Sequence, residues 1–98
     1  MGVEQSLAHP YTINLNFVLP NTKGQVITIQ CVPESTFEKV VNELEEKVSQ
    51  YFNVDLSKIE DLSFSYKCQK EVKPLQKSVM MIKNIQGLVN WSNIMMET

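Results

Sequence analysis

The stretch from Tyr11 to Phe52 constrains this chain most. Tyr11, Ile13, Leu15, Phe17 and Leu19 alternate with Thr12, Asn14 and Asn16, the period-two pattern of a strand with one buried and one polar face. Pro20-Asn21-Thr22-Lys23-Gly24 reads as a turn in which the glycine takes positive φ. A second alternation follows, with Ile27, Ile29 and Cys31 inward and Thr28 and Gln30 outward. Pro33 ends that strand. Ser35 then serves as the expected helix N-cap, with Glu38 completing a capping box. Phe37, Val40, Val41, Leu44, Val48, Tyr51 and Phe52 recur at helical spacing and form one apolar stripe. Glu38, Lys39, Asn42, Glu43, Glu46, Lys47 and Gln50 take the other side, where Glu43 and Lys47 are placed for an i,i+4 ion pair. A hairpin followed by one helix laid across it specifies an α+β domain.

Beyond Asn53 the signals shorten. Asp55 opens a short helical turn, and Leu62, Phe64 and Tyr66 alternate with Ser63 and Ser65 as a third strand. Glu71 to Leu75 predicts a short fourth strand at a sheet edge, because Pro74 cannot donate to a ladder. Val79-Met80-Met81-Ile82 reads as a helical turn or a loop plugging the core. Gly87 marks a turn, and the last strand is expected over Leu88 to Met96, with Trp91 its largest side chain. Residues 1–10 read as a flexible lead ended by His9-Pro10, and 11–98 as one domain.

Composition narrows the function classes. The chain has 98 residues, 43% hydrophobic and 20% charged, which suits one folded core. The net charge is -2, and all nine basic residues are Lys. That leaves neither a basic footprint for nucleic acid nor the bidentate recognition that Arg supplies. Cys31 and Cys68 form no CxxC pair and, with one His, give no metal-ligand spacing. Cys31 reads as a reduced thiol on a strand, and neither a secretory segment nor a membrane-spanning run stands out. The compartment expected is intracellular.

No catalytic constellation emerges. His9 lies in the lead as a solvated residue, Glu43, Glu45 and Glu46 spread around one helix, and the three glycines stand too far apart to cradle phosphate. No cofactor or metal is expected. Met1-Gly2-Val3-Glu4-Gln5-Ser6 fits the N-myristoylation pattern at Gly2. Stable anchoring needs a second signal, and no Lys lies nearby, so a membrane partner is expected only if Gly2 is acylated.

The order strand, strand, helix, strand, short strand, irregular segment, strand resembles the ubiquitin-like β-grasp superfamily. The residues that carry the likeness are Ile13-Leu15-Phe17, the Gly24 turn, Ile27-Ile29, and Pro33-Glu34-Ser35-Thr36-Phe37-Glu38-Lys39-Val40. Leu62 to Lys67, Val72 to Leu75 and Lys83-Asn84-Ile85 extend it over roughly residues 11 to 96. The resemblance implies a mixed sheet of four to five strands with one main helix, about residues 35–52, across it. Conjugated relatives end in an activated Gly-Gly tail, whereas this sequence ends Ile94-Met95-Met96-Glu97-Thr98. A modifier or carrier role would need a processed C terminus. The aliphatic sheet patch typical of ubiquitin is not expected, since the outward positions Thr12, Asn14, Asn16, Thr28, Gln30, Ser63 and Ser65 are polar. Pairing with an acidic GTPase switch is not expected either, because no Lys lies between Gln25 and Val32.

The reading is a non-catalytic protein–protein interaction module, an accessory or structural subunit of a larger assembly whose partners are other protein subunits. The alternatives are a myristoylated membrane adaptor and, with processing, a carrier or modifier. The edge of the sheet together with the region around Trp91, Met95 and Met96 is the candidate partner interface, with the outer helix face second. Adjacent strand residues point to opposite faces, so one of Met95 and Met96 is expected at the surface.

Overall fold

The computed structural model describes residues 12–20 and 22–98. Tyr11, the lead with Gly2 and His9, and Asn21 lie outside the described residues. Strands β1 (Ile13–Val18) and β2 (Val26–Cys31) form the hairpin. Helix α1 (Phe37–Phe52), a 3-10 turn (Leu56–Lys58), β3 (Ser63–Cys68), β4 (Glu71–Leu75), a second 3-10 turn (Ile82–Asn84) and β5 (Ser92–Glu97) follow. The strand order is β2-β1-β5-β3-β4. The last strand thus enters the middle of the sheet, parallel to β1 and antiparallel to β3. The α+β architecture is the expected one, with five strands and one main helix among the described residues. Pro74 sits on edge strand β4, as its missing N–H requires.

The core lies between α1 and one face of the sheet. Phe37, Val40, Val41, Leu44 and Val48 are buried on the helix against Leu15, Phe17, Ile29, Phe64 and Ile94 from the strands. The apolar stripe ends one turn early, however. Tyr51 is 68% exposed and Phe52 is 36% exposed. Asn53, in the left-handed conformation at φ 57°, terminates the helix with its N–H on the Ser49 carbonyl, and the last turn borders an open groove where the stripe would otherwise meet a packed core.

The helix start also differs from expectation. Thr36, not Ser35, is the N-cap, and its Oγ1 accepts the Lys39 N–H at 3.2 Å. No capping box with Glu38 forms, since Lys39 occupies the position that the Thr36 hydroxyl caps. The reason is tertiary. The Ser35 carbonyl accepts the Ile82 N–H at 2.8 Å, and Thr36 bridges to Met81 in strand fashion, which holds Ser35 outside the helix. The next two orphan donors go to the same distant loop: Phe37 N–H to the Met80 carbonyl at 2.9 Å and Glu38 N–H to Ser78 at 2.8 Å. The expected apolar patch therefore divides. Ile82 is buried, Val79 and Met80 are exposed, and the backbone of 78–82 caps the helix.

The last strand begins later than the apolar pattern suggests. A tight turn links Val89 to Ser92, with Ser92 N–H on the Val89 carbonyl at 3.0 Å and Val89 N–H on Ser92 Oγ at 2.9 Å. Trp91 within it takes φ 70°, so pairing starts only at Ser92. Glu43 and Lys47 do not pair. The salt bridge among the described residues is Lys77 to Glu45 at 3.8 Å, on the surface, where such a contact contributes little.

Candidate interaction face

Among the described residues, no helix covers the face of the sheet opposite α1. Register alone determines what it displays, because outward residues recur every second position. Val26 lies opposite Val18, Val18 opposite Met95, Met95 opposite Ser65, and Ser65 opposite Pro74. One row therefore crosses all five strands, about 19 Å at the usual strand spacing, and four of its five members are apolar. Val26 is 48% and Met95 43% exposed. Val72, opposite Lys67, adds a further exposed apolar side chain in the next row.

This corrects the expectation of a uniformly polar outer face. The polar positions are outward as expected, but Val18, Val26, Met95, Val72 and Pro74 share their face. Sequence reading missed the row because Val18 and Val26 sit at strand ends, where apolar residues read as strand formers. Their alignment with Met95 and Pro74 depends on pairings across three other connections.

The neighbouring rows carry Lys67 on one side and Glu97 on the other, and towards β1 and β2 they consist of amides and hydroxyls hydrogen-bonded among themselves. Thr28 Oγ1 donates to Asn16 Oδ1 at 2.6 Å, and Asn16 Nδ2 donates to Asn93 Oδ1 at 3.4 Å. Asn14 Nδ2 donates to Asn90 Oδ1 at 3.2 Å, and Gln30 Nε2 to Thr12 Oγ1 at 3.1 Å. The Thr28 and Gln30 bonds link β2 to the β1 side, whereas the Asn14–Asn90 and Asn16–Asn93 bonds staple the β1–β5 seam, which Trp91 N–H completes on the Asn14 carbonyl at 2.6 Å. Because these amides and hydroxyls satisfy one another, they offer a wettable border and no acid, base or nucleophile.

The three candidate interface residues separate. Met95 lies in the centre of the apolar row. Trp91, 58% exposed, stands in the turn at the other end of β5, beside Asn14 and Asn16. Met96 points inward opposite Phe64 and is 3% exposed, so it belongs to the core and not to a contact surface. The structure leaves one Met of the pair at the surface, as strand geometry demands.

A second apolar feature is the groove at the end of α1. Leu19, Pro20, Val48, Phe52, Val54 and Leu56 line a space of about 370 Å³. Among the described residues no three His, Cys, Asp or Glu side chains converge on a metal-sized site, and no helix is long and apolar enough to cross a membrane.

Both cysteines are free. Cys31, half-buried at the end of β2, has its thiol pushed up to about 11 by burial and by the nearby Glu43 carboxylate. Its thiolate is scarce at neutral pH, the opposite of an activated nucleophile. Alkylation of Cys31 by iodoacetamide at pH 8 is expected to run roughly 200-fold slower than that of a free thiol of pKa about 8.5, from the thiolate fractions alone. Rates measured against pH should rise until about 11; a plateau below pH 9 would show that the thiol is not held in this environment.

No protein-family model matches this sequence, and no curated protein does. In three dimensions the chain is similar to a de novo design based on ubiquitin, with 18% identity and a TM-score of 0.55 over 89% of this chain and 88% of that one. It is also similar to the C-terminal ubiquitin-like domain of mouse tubulin-specific chaperone e, with 14% identity and a TM-score of 0.55 over 88% of this chain and 84% of that one. At these identities the likeness is one of fold.

Proposed function

We propose that this chain, which has the ubiquitin-like β-grasp fold, is a non-catalytic protein–protein interaction module that works as an accessory subunit of a larger assembly. The observation that carries the reading is the largely apolar row Val26-Val18-Met95-Ser65-Pro74 across the face opposite α1, which no described helix covers. An apolar strip bordered by hydrogen-bonded amides and by the exposed charges of Lys67 and Glu97 has the anatomy of a contact surface with a dry centre and a wet rim. Met at the middle of the row adapts its shape to a partner. The use of the same fold as the C-terminal domain of a tubulin-specific chaperone supports a role as one module among others.

The test is native-size fractionation of the full chain in its own cells. The chain is expected in a complex far larger than 11.3 kDa. Met95→Lys should release it, with a loss of affinity of about 30-fold or more if Met95 is a hot spot. Glu46→Lys, on the outer helix face, should leave the complex intact. Elution of the wild-type chain at its own mass would sink the accessory-subunit reading, and release by Glu46→Lys alone would move the interface to the helix.

A further inference from the structure

The two edges of the sheet are built differently. β4 is short and carries Glu71, Lys73 and Pro74, the charges and proline that keep other strands from pairing. β2 carries none of these. From Gln25 to Val32 there is no charge, proline or glycine, and its register with β1 runs unbroken over six pairs, from Ile13 with Cys31 to Val18 with Val26. No bulge turns the edge away, and no described strand pairs with its outer side.

The direction of its backbone groups follows from one bond. Leu19 N–H donates to the Gln25 carbonyl at 2.9 Å, which marks that pair as hydrogen-bonded. Pairs alternate in an antiparallel ladder, so Ile27, Ile29 and Cys31 bond to β1. Val26, Thr28 and Gln30 then aim their N–H and C=O groups outward. An edge of three donors and three acceptors, centred on Thr28, is complementary to itself.

We propose that β2 is a homodimer edge, on which a second copy of this chain pairs antiparallel about a twofold axis at Thr28. Val26 then faces Gln30 of the second copy, Thr28 faces Thr28, and six backbone hydrogen bonds close the seam. Both sheets join into one, with the aliphatic rows on the same side.

Charge favours this partner and this register. The pairing that puts Thr28 on the axis brings Gln25 opposite Cys31 of the second copy, so that the exposed turn holding Lys23 lies past that end of the seam, towards Pro33. Glu34 adjoins that proline, and Glu43 lies near enough to Cys31 to act on its thiol. Each Lys23 thus meets an acidic corner, twice over by symmetry, while the strand between contributes no like charges.

Sedimentation of the purified chain over a wide concentration range tests this. The mass is expected to climb from 11.3 kDa towards twice that value, with slowed amide exchange at Val26, Thr28 and Gln30 in the dimer only. Thr28→Lys places two cations face to face on the axis and should weaken association at least 10-fold, while circular dichroism stays unchanged. Lys23→Glu, on an exposed turn, should also weaken it, and Lys23→Glu with Glu43→Lys should restore it. A chain that remains monomeric at millimolar concentration overturns the proposal. So does a dimer indifferent to Thr28→Lys, and one indifferent to Lys23→Glu overturns the register.

Discussion

Gly87→Ala is expected to destabilise the domain by about 2–5 kcal/mol and to lower its melting temperature by roughly 10–30 °C. Two costs add. Gly87 has φ +86°, a region where an L side chain costs about 1–2 kcal/mol. A Cβ there would also overlap Cys68 Sγ and lie 2.9 Å from Cys68 Cβ, and Cys68 is buried in strand β3 with little room to move. Overpacking of that kind costs about 1–3 kcal/mol.

Gly24 separates the two terms. It has φ +80° but nothing within 4 Å of a would-be Cβ, so Gly24→Ala should show the backbone cost alone. Thermal or denaturant unfolding of both variants measures the difference. Cys68→Ala in the Gly87→Ala background should recover part of the loss, since it removes the sulfur and leaves the β-carbon. Equal losses at the two glycines would show that contact with Cys68 contributes nothing.

The second large effect lies in the aromatic centre of the core. Phe17 from β1, Phe37 from α1 and Phe64 from β3 meet there. Their ring centroids are 6.4 Å (Phe17–Phe37), 6.3 Å (Phe17–Phe64) and 5.7 Å (Phe37–Phe64) apart, and both contacts of Phe64 are edge-on. Phe37 is fully buried. Phe37→Ala removes a ring that joins the helix to two strands and should cost about 3–5 kcal/mol, a large share of the usual stability of a domain. It should move the denaturant midpoint without changing the slope.

Tyr51→Ala provides the contrast on the same helix. Its ring is 68% exposed, so the change should stay within about 0.5 kcal/mol. By spacing alone both residues belong to one stripe. A loss at Tyr51 comparable to that at Phe37 would mean that the helix end packs in solution as the periodicity predicts.

The same contrast shows how much was legible beforehand. The β1–β2 alternation, positive φ at Gly24, the inward helix residues from Phe37 to Val48, and the edge placement of Pro74 are all readable from residue order. Each rests on local chemistry: a side-chain period, a missing Cβ, a missing N–H. Residue order points to Ser35 as N-cap, one residue too early, because Ile82 and Met81, far along the chain, hold Ser35 outside the helix and Thr36 extended. The start of β5 was placed too early because the Val89–Ser92 turn closes through the Ser92 hydroxyl, with no proline or glycine to mark it.

Of the interaction face, residue type marks Trp91, Met95 and Met96 as candidates and strand geometry puts one Met of the pair at the surface without choosing it; the core position of Met96 and the row are not readable from residue order. What the sequence determined by itself is the set of elements between Tyr11 and Phe52 and the polar alternation on their outer side. The tertiary structure decided which outward residues become neighbours. By inserting β5 between β1 and β3 it aligned Val18, Val26, Met95 and Pro74, which arrive from four strands of separate sequence positions. Alternation is a property of one strand, whereas a contact surface is a property of the register between strands, and long-range hydrogen bonds set that register.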